Sequence, residues 1–380
     1  MPSFEQGPIR PPSEAGSLLL RFTRNCPWNK CAFCPVYKKR RFSRRNLEEI
    51  LEDIDAVSRM LSEMRDFARS VTGREDLDGA IMQRILKSGD WGEQYKQLAF
   101  WVLQGEGTVF IQDANSLILK TEILEQALTA LRSKIPLVRR VTMYARSSTV
   151  VRKSDQELTR LRRAGLDRLH IGMESGSDRV LRLMNKGTSS KQHIQAGQKA
   201  VQSGFSLSEY IMPGLGGREL SREHALETAR VLDAVDPHFI RLRTLQILPG
   251  TELDAMRQRG EFTPLDDDAI VSEIRLLIQS LRETTAELAS DHVMNLLQEV
   301  QGRLPGDKGT MLGVIDEYLG RPREERLLYR LGRRAGSLVS PSQLDEPGTR
   351  QQLERARKSL EAQEGKDLEA IISDMGRSHL

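Results

Sequence analysis

The feature that most constrains the fold is a regular alternation of strand-like and helical segments over the first two thirds of the chain. Helical periodicity occurs, for example, at 47–64, 121–131 and 190–201. The segments that read as strands are 18–23, 108–112, 138–144, 168–172, 206–212 and 239–245. Because helices separate these strands, the sequence predicts an α/β fold with a parallel sheet, either open and doubly wound or closed into a full or partial barrel.

Strand patterns stop after residue 251, and helical patterns dominate the remainder, at 266–288, 311–319, 324–331 and 351–372. We therefore expect residues 1–16 to form an N-terminal extension, 17–260 the α/β core and 261–380 a C-terminal helical region. The polar, glycine-containing stretch 65–93 predicts an insertion of loop and short helix in the core. Within the C-terminal region, 290–300 is expected to be a helix that places Asp291, His292 and Asn295 on one side as cap or core-edge residues, with substrate ligands as the alternative.

Charge and hydropathy exclude some classes of protein. Lys plus Arg number 57 against 53 Asp plus Glu, and a formal charge of +4 is too small to indicate nucleic acid by itself. No run approaches the roughly 18 apolar residues of a membrane span. The N-terminus lacks the basic start and apolar stretch of a secretory signal, so the expected location is cytoplasmic.

The chain has three cysteines, and Cys26, Cys31 and Cys34 all lie within one stretch of nine residues. An odd, clustered set argues against structural disulfides and for a metal site. Structural zinc normally takes four protein ligands, and no second CxxC or paired histidines accompany these three. An iron–sulfur cubane held by three thiolates keeps one iron open for a small molecule. The pattern favours such a cluster, with zinc or an incidental group of thiols as the alternatives.

A short strand that ends in three closely spaced cysteines, with Phe33 just before the last, resembles the cluster loop of the radical SAM superfamily. The likeness extends over roughly 17–252, although the family usually spaces its cysteines by three and two residues, not four and two. The segment 172–187 resembles the oxygen-independent coproporphyrinogen dehydrogenase and Elongator catalytic subunit type. The resemblance implies a partial (β/α)6 TIM-like barrel with a C-terminal helical extension, one [4Fe-4S] cluster, and S-adenosylmethionine (SAM) cleaved to a 5′-deoxyadenosyl radical that abstracts hydrogen from a substrate.

The resemblance also implies which residues contact SAM, while a structural explanation exists for each. Asp113 takes the position that meets the SAM amino group, Glu174 the ribose hydroxyls and Lys186 the methionyl carboxylate. Further candidate contacts are Phe33 beside the cluster, Tyr144 and Arg146 at the rim, and Gly214 against adenine. The alternatives are structural: Asp113 would belong to a polar turn, Lys186 would be a lysine favoured at a helix C-terminus, and Tyr144 would be a packed aromatic ring. Arg146 would be a surface arginine and Gly214 part of a glycine turn.

Two basic features bear on the substrate, which the sequence does not identify. The segment 38–45 carries six cations just beyond the cysteines, which favours an anionic substrate unless it is merely a solvated surface. Arg241 and Arg243 share one side of a strand, where burial without an anion is costly. We expect a small-molecule or anionic substrate and a low-potential electron donor such as flavodoxin or ferredoxin. An RNA-modifying enzyme and a non-catalytic zinc or iron–sulfur protein are the other hypotheses, and no catalytic residue is assigned.

Overall fold

The structure, a computed structural model, describes residues 2–365, 367–369, 371–372 and 375. Its strands are β1 Leu18–Arg21, β2 Thr23–Arg24, β3 Ser43–Arg44, β4 Thr108–Gln112, β5 Arg140–Ala145, β6 Arg168–Glu174, β7 Ser206–Ile211, β8 Phe239–Leu242, β9 Glu287–Ala289 and β10 Gly302–Arg303. Its α-helices are α1 Leu47–Thr72, α2 Gly79–Lys87, α3 Glu93–Gln104, α4 Thr121–Lys134, α5 Ser147–Arg152, α6 Asp155–Arg163, α7 Asp178–Leu183, α8 Ser190–Gln202, α9 Gly217–Val235, α10 Glu252–Gln258, α11 Asp267–Ser280, α12 Lys308–Gly320, α13 Arg323–Arg334 and α14 Pro347–Glu364.

The main sheet has the strand order β1-β4-β5-β6-β7-β8-β9-β10, and β2 and β3 form a separate antiparallel pair. Strand β1 pairs in parallel with β4, β4 with β5, β5 with β6 and β8 with β9, whereas β10 runs antiparallel to β9. The α/β class with a mostly parallel sheet is thus confirmed. Each predicted strand segment overlaps an observed strand, and β5 and β6 extend beyond the predicted bounds.

Contacts divide the chain into two compact units, the first made of Met1–Asn29, Val36–Gly172 and Gln195–Ser208. Its longest helix, α1, begins with a capping box: the Asn46 side chain accepts from the Glu49 backbone N–H, and the Glu49 side chain accepts from the Asn46 backbone N–H. The buried face of α1 repeats at three- and four-residue steps, as the sequence predicts, through Ile50, Ile54, Val57, Leu61 and Met64. Helix α1 continues to Thr72, so the predicted insertion 65–93 contains the last turns of α1 as well as helix α2.

The second unit consists of Lys30–Pro35, Met173–Ile194 and Glu209–Leu380. It includes a buried apolar cluster of Ala32, Val180, Met184, Leu215, Leu245, Leu253, Met256 and Phe262. Helices α11 to α13 lie in the predicted C-terminal helical region. The predicted helix over 351–372 begins earlier, as α14, and part of its end lies outside the described residues. The predicted domain boundary near 260 stays a prediction.

Two predictions for the C-terminal part are wrong. Strand structure does not end at 251, because β9 extends the sheet beside β8. The segment 290–300 is irregular and not helical. Asn295 instead closes the end of β8, accepting a hydrogen bond from the Thr244 backbone N–H at 3.0 Å and donating to the Leu242 carbonyl at 2.9 Å. These contacts give hydrogen-bond partners to the backbone groups of Leu242 and Thr244.

Among the described residues, no helix combines the length and apolar character that crossing a membrane requires.

Candidate active site

The three cysteines lie in a loop, residues 25–37, that we call the cysteine loop. None of the three forms a disulfide; Cys31 is buried, and Cys26 and Cys34 are half-buried. Asn25 and Asn29 adopt left-handed backbone conformations, with φ of 69° and 47°, which asparagine tolerates better than most residues. The backbone N–H of Asn29 points to the Cys26 sulfur at 3.4 Å. The loop therefore bends sharply on both sides of its first cysteine.

Asp113, which follows β4, holds the first part of the cysteine loop. Its carboxylate is fully buried and accepts hydrogen bonds from Arg21 Nε at 2.7 Å, the Asn25 backbone N–H at 2.6 Å and the Tyr37 hydroxyl at 2.9 Å. Burial, and next the Asp113 charge, raise the pKa of Tyr37, so this phenol stays protonated and donates. Asp113 thus fixes both ends of the loop, a role that the sequence did not indicate. Its predicted contact with SAM stays a prediction.

The second part of the loop is held by backbone contacts around Ala32. The Ala32 N–H donates to the Met184 carbonyl at 2.9 Å, and the Ala32 carbonyl accepts from the Leu253 N–H at 3.0 Å. Phe33 packs against the apolar cluster that contains Ala32. Cys31 and Cys34 therefore flank a dipeptide whose main chain and side chains are both fixed.

The donor set suits a cluster more closely than a single metal ion. Within the described residues, no three His, Cys, Asp or Glu side chains converge in the way that a single ion requires. A cubane takes each cysteine on a different iron, so its protein sulfurs lie farther apart than the ligands of one ion. The loop supplies three cysteines, one fewer than the four irons of a cubane, so a cluster held by them would keep one iron without a protein ligand.

Three of the candidate cofactor contacts lie near one another in the structure: Phe33, Glu174 and Lys186. Lys186 Nζ donates to Glu174 Oε1 at 2.8 Å and lies 6.0 Å from the centre of the Phe33 ring. Both charged side chains are largely buried, which makes their pairing necessary. Glu174 is the last residue of β6 and has a left-handed φ of 67°. This conformation is uncommon for residues other than glycine, and it interrupts the regular alternation of side chains along the strand.

Gly214 lies after β7 with a φ of 88°, where a side chain would be strained. Its N–H donates to the buried carboxylate of Glu273 at 2.7 Å. A Cβ at this position would lie 3.5 Å from the Leu245 Cβ, an ordinary contact distance. The backbone conformation, and not a lack of space, therefore explains why glycine occurs here. Its predicted approach to adenine stays a prediction.

Tyr144 and Arg146 lie at the end of β5 in different surroundings. The Tyr144 ring meets Phe110 edge-on, with centroids 5.0 Å apart, and is 5.9 Å from the His170 ring. Arg146 places its guanidinium 5.2 Å from the centre of the Trp28 ring, which belongs to the cysteine loop. Arg146 is therefore not a plain surface arginine, because it contacts the loop that carries the thiols.

Glu209 on β7 was missed by the sequence reading. Its side chain is fully buried, and neither carboxyl oxygen has a hydrogen-bond partner. Burial raises its pKa well above the usual range; the nearby Glu174 charge raises it further, and Lys186 opposes the shift. Burial and the Glu174 charge both favour the protonated, uncharged form of this carboxyl group. An acidic residue within the buried strand Ser206–Ile211 was the only sequence signal for it.

The raised pKa of Glu209 predicts a pH effect on stability. Between its ordinary pKa of 4.5 and its folded value, the folded chain binds more protons than the unfolded chain, so stability falls as pH rises through that window. The change Glu209→Gln keeps the size of the side chain and removes its ionisation. We expect the variant to be more stable than the wild type at pH 8, with a flatter pH dependence in urea unfolding between about pH 5 and pH 8. Glu106→Gln, an exposed control, should leave the curve unchanged.

Comparisons with known proteins agree with the site. The family model described as the Radical SAM superfamily matches residues 20–229. A tRNA uridine(34) acetyltransferase of Methanocaldococcus infernus is 28% identical over 123 residues, 32% of this chain and 23% of that protein. A 4′-phospho-dehydrooxetanocin synthase of Priestia megaterium is 23% identical over 228 residues, 58% of this chain and 27% of that protein. The chain thus spans about a quarter of the length of each of these relatives.

Among solved structures, coproporphyrinogen III oxidase from Escherichia coli, described as a radical SAM enzyme, aligns with a TM-score of 0.33 and 15% identity. That alignment covers 72% of this chain and 78% of the other. The family match covers more than half of the 380 residues, including the cysteine loop and most of the parallel strands. This chain belongs to the radical SAM superfamily and is an enzyme that binds a [4Fe-4S] cluster and S-adenosylmethionine.

Proposed function

We propose that Cys26, Cys31 and Cys34 hold the [4Fe-4S] cluster and that the enzyme acts on an anionic substrate. When bound, the cluster and SAM supply the chemistry, a reductive cleavage to methionine and a 5′-deoxyadenosyl radical that abstracts hydrogen from the substrate. The single observation that carries this proposal is the presence of all three cysteines on one loop whose ends are fixed by the buried Asp113 carboxylate. An external low-potential electron donor, such as flavodoxin or ferredoxin, is the partner that the reaction needs.

The chain's own residues position the ligands in this proposal. Asp113 and Tyr37 fix the course of the cysteine loop before any ligand binds. Glu174 offers an ionised acceptor to the ribose hydroxyls, and Lys186 offers a cation to the methionyl carboxylate. The Glu174–Lys186 pair keeps both groups charged although they are largely shielded from water. Preset charges of this kind cost no reorganisation when the cofactor arrives.

The test is anaerobic reconstitution of the full chain with iron and sulfide, followed by incubation with SAM and dithionite. A brown protein that releases 5′-deoxyadenosine is expected. A colourless protein that takes up zinc and forms no 5′-deoxyadenosine would refute the proposal. Incubation with a deuterium-labelled metabolite extract extends the test, because label recovered in 5′-deoxyadenosine traces the hydrogen to the substrate.

A second candidate, RNA modification, is favoured by an exposed basic surface. Lys39, Arg40, Arg41 and Arg44 are exposed and form no ion pair in the described part of the chain. Arg45, by contrast, is buried and paired with Asp53. The Methanocaldococcus relative is named for a tRNA nucleoside. Unneutralised cations beside the cysteine loop suit a phosphate backbone, whose binding is driven by release of counterions.

Replacing Lys39, Arg40, Arg41 and Arg44 with serine tests this candidate. We expect tRNA affinity to fall about tenfold or more, and the slope of log affinity against log salt to shrink by up to about 3, since about 0.7 is lost per phosphate contact to single strands. Filter binding of bulk tRNA over a salt series measures both quantities. A matched variant with Arg59, Arg74, Arg84 and Lys191, all exposed elsewhere, changed to serine should bind as the wild type does. Equal loss in both variants would exclude a specific RNA surface.

A further inference from the structure

Two arginines lie at the end of β8, and only one of them is neutralised by the protein. Arg241 donates through Nη1 to the Asp291 carboxylate at 2.7 Å, with its side chain 9% exposed. The irregular segment after β9 supplies Asp291. Arg241 and Asp291 together therefore contribute no net charge to this part of the second unit.

Arg243 has no such partner. Its backbone N–H donates to the Ile211 carbonyl at 2.8 Å, which fixes its position beside β7. Its guanidinium lies 4.9 Å from the centre of the Tyr210 ring. One terminal nitrogen, Nη2, is buried and has no hydrogen-bond partner, and within the described residues Arg243 forms no ion pair. Arg243 is half-buried, and a buried donor nitrogen without a partner is costly unless an oxygen acceptor meets it.

The neighbouring His292 does not alter this balance at neutral pH. Burial, and then the Arg243 charge, lower the pKa of His292 to about 4, with Asp291 opposing the shift. Its Nδ1 accepts a hydrogen bond from the Met294 N–H at 3.3 Å, so the neutral ring carries its proton on Nε2. Arg241, Arg243 and Asp291 then leave one uncompensated positive charge, which belongs to Arg243.

We propose that Arg243 anchors an anionic oxygen group, a carboxylate or a phosphate, of the substrate. This inference rests on the proposed function and narrows its substrate class. A guanidinium binds two oxygens of such a group through parallel N–H donors, a geometry that fixes orientation as well as charge. The Tyr210 ring against its face limits the directions from which an anion approaches. Arg241 also has a buried nitrogen without a partner, Nε, but its charge is already compensated by Asp291, which makes Arg243 the stronger anchor.

The test uses the His292 ring as a reporter in the reconstituted full chain labelled with 13C-histidine. Its NMR signal, assigned with His292→Gln, is followed against pH in chloride or in inorganic phosphate at constant ionic strength. In the wild type, phosphate should raise the pKa of His292 by about one unit, because the bound anion offsets the Arg243 charge. In Arg243→Gln phosphate should not shift it, while Arg243→Lys should respond more weakly. Arg282→Gln, an exposed arginine in the same unit, should behave as the wild type.

Thermal unfolding separates this proposal from a structural role for the arginine. Without added anion, Arg243→Gln should unfold no earlier than the wild type, because the change removes an unpaired charge. Arg241→Gln should unfold at a lower temperature, because it leaves the Asp291 carboxylate without its ion-pair partner. An equal anion response in wild type and Arg243→Gln, or early unfolding of Arg243→Gln, overturns the anchor. Wild-type protein that forms no 5′-deoxyadenosine in the same preparation counts instead against the proposed function.

Discussion

Replacing Cys31 with alanine is expected to abolish iron binding and SAM cleavage together. Its thiol is the most buried of the three, and the chain has no fourth cysteine to replace it. Two thiolates leave two irons without protein ligands, so the cubane loses its attachment. We expect 5′-deoxyadenosine formation to fall by more than about 100-fold. This exceeds the loss of activity caused by mutating a residue that only hydrogen-bonds to a metal ligand. Iron and sulfide per chain, measured beside the rate, check the cause.

Pro35→Ala is the matched control for that experiment. Pro35 follows Cys34 in the same loop, is exposed and supplies no thiol. It should keep the iron content and the rate of the wild type. A Cys31→Ala protein that retained both would show that the cluster is held elsewhere and would end the assignment of the cysteine loop.

The second large effect is expected for Asp113→Ala. The change leaves the Arg21 guanidinium, the Asn25 N–H and the Tyr37 hydroxyl without their shared acceptor inside the protein. Loss of a fully buried charged acceptor costs about 3 kcal/mol of unfolding free energy. The cysteine loop loses its anchor as well, so iron retention should drop. Urea unfolding and iron analysis after gel filtration measure the two consequences.

Asp76→Ala, which removes an exposed carboxylate from the same unit, controls for the loss of one charge. It should match the wild type in both measurements. The same measurements distinguish the two roles considered for Asp113, anchoring of the cysteine loop and contact with SAM. If Asp113→Ala kept normal stability and iron but lost SAM binding, its carboxylate would serve the SAM amino group and not the loop.

The parallel core was predictable because its strands are apolar segments separated by helices of clear period. The predicted strand 108–112 has the same bounds as β4, and α1 buries the face that its periodicity indicates. Strand β9 was missed because Glu287–Ala289 is too short to show an alternation. It is a strand through its pairing with β8, a tertiary contact that no local pattern contains.

The candidate site likewise has features that the sequence indicates and features that depend on tertiary contacts. The thiols follow from their spacing, and the approach of Lys186 to Glu174 agrees with the position that each was given in the sequence. Loop anchoring by Asp113 depends on residues up to 92 positions away, so the sequence pattern does not indicate it. The raised pKa of Glu209 depends on its complete burial, which an acidic residue does not predict.

Electron paramagnetic resonance of the anaerobic, dithionite-reduced protein, recorded with and without SAM, tests the assignment of the cysteine loop most directly. A chain that carries about four irons, shows one cluster signal and changes that signal when SAM is added is the predicted result, because SAM binds the iron that lacks a protein ligand. A cluster signal that SAM leaves unchanged, or protein without an iron signal after reconstitution, would contradict it.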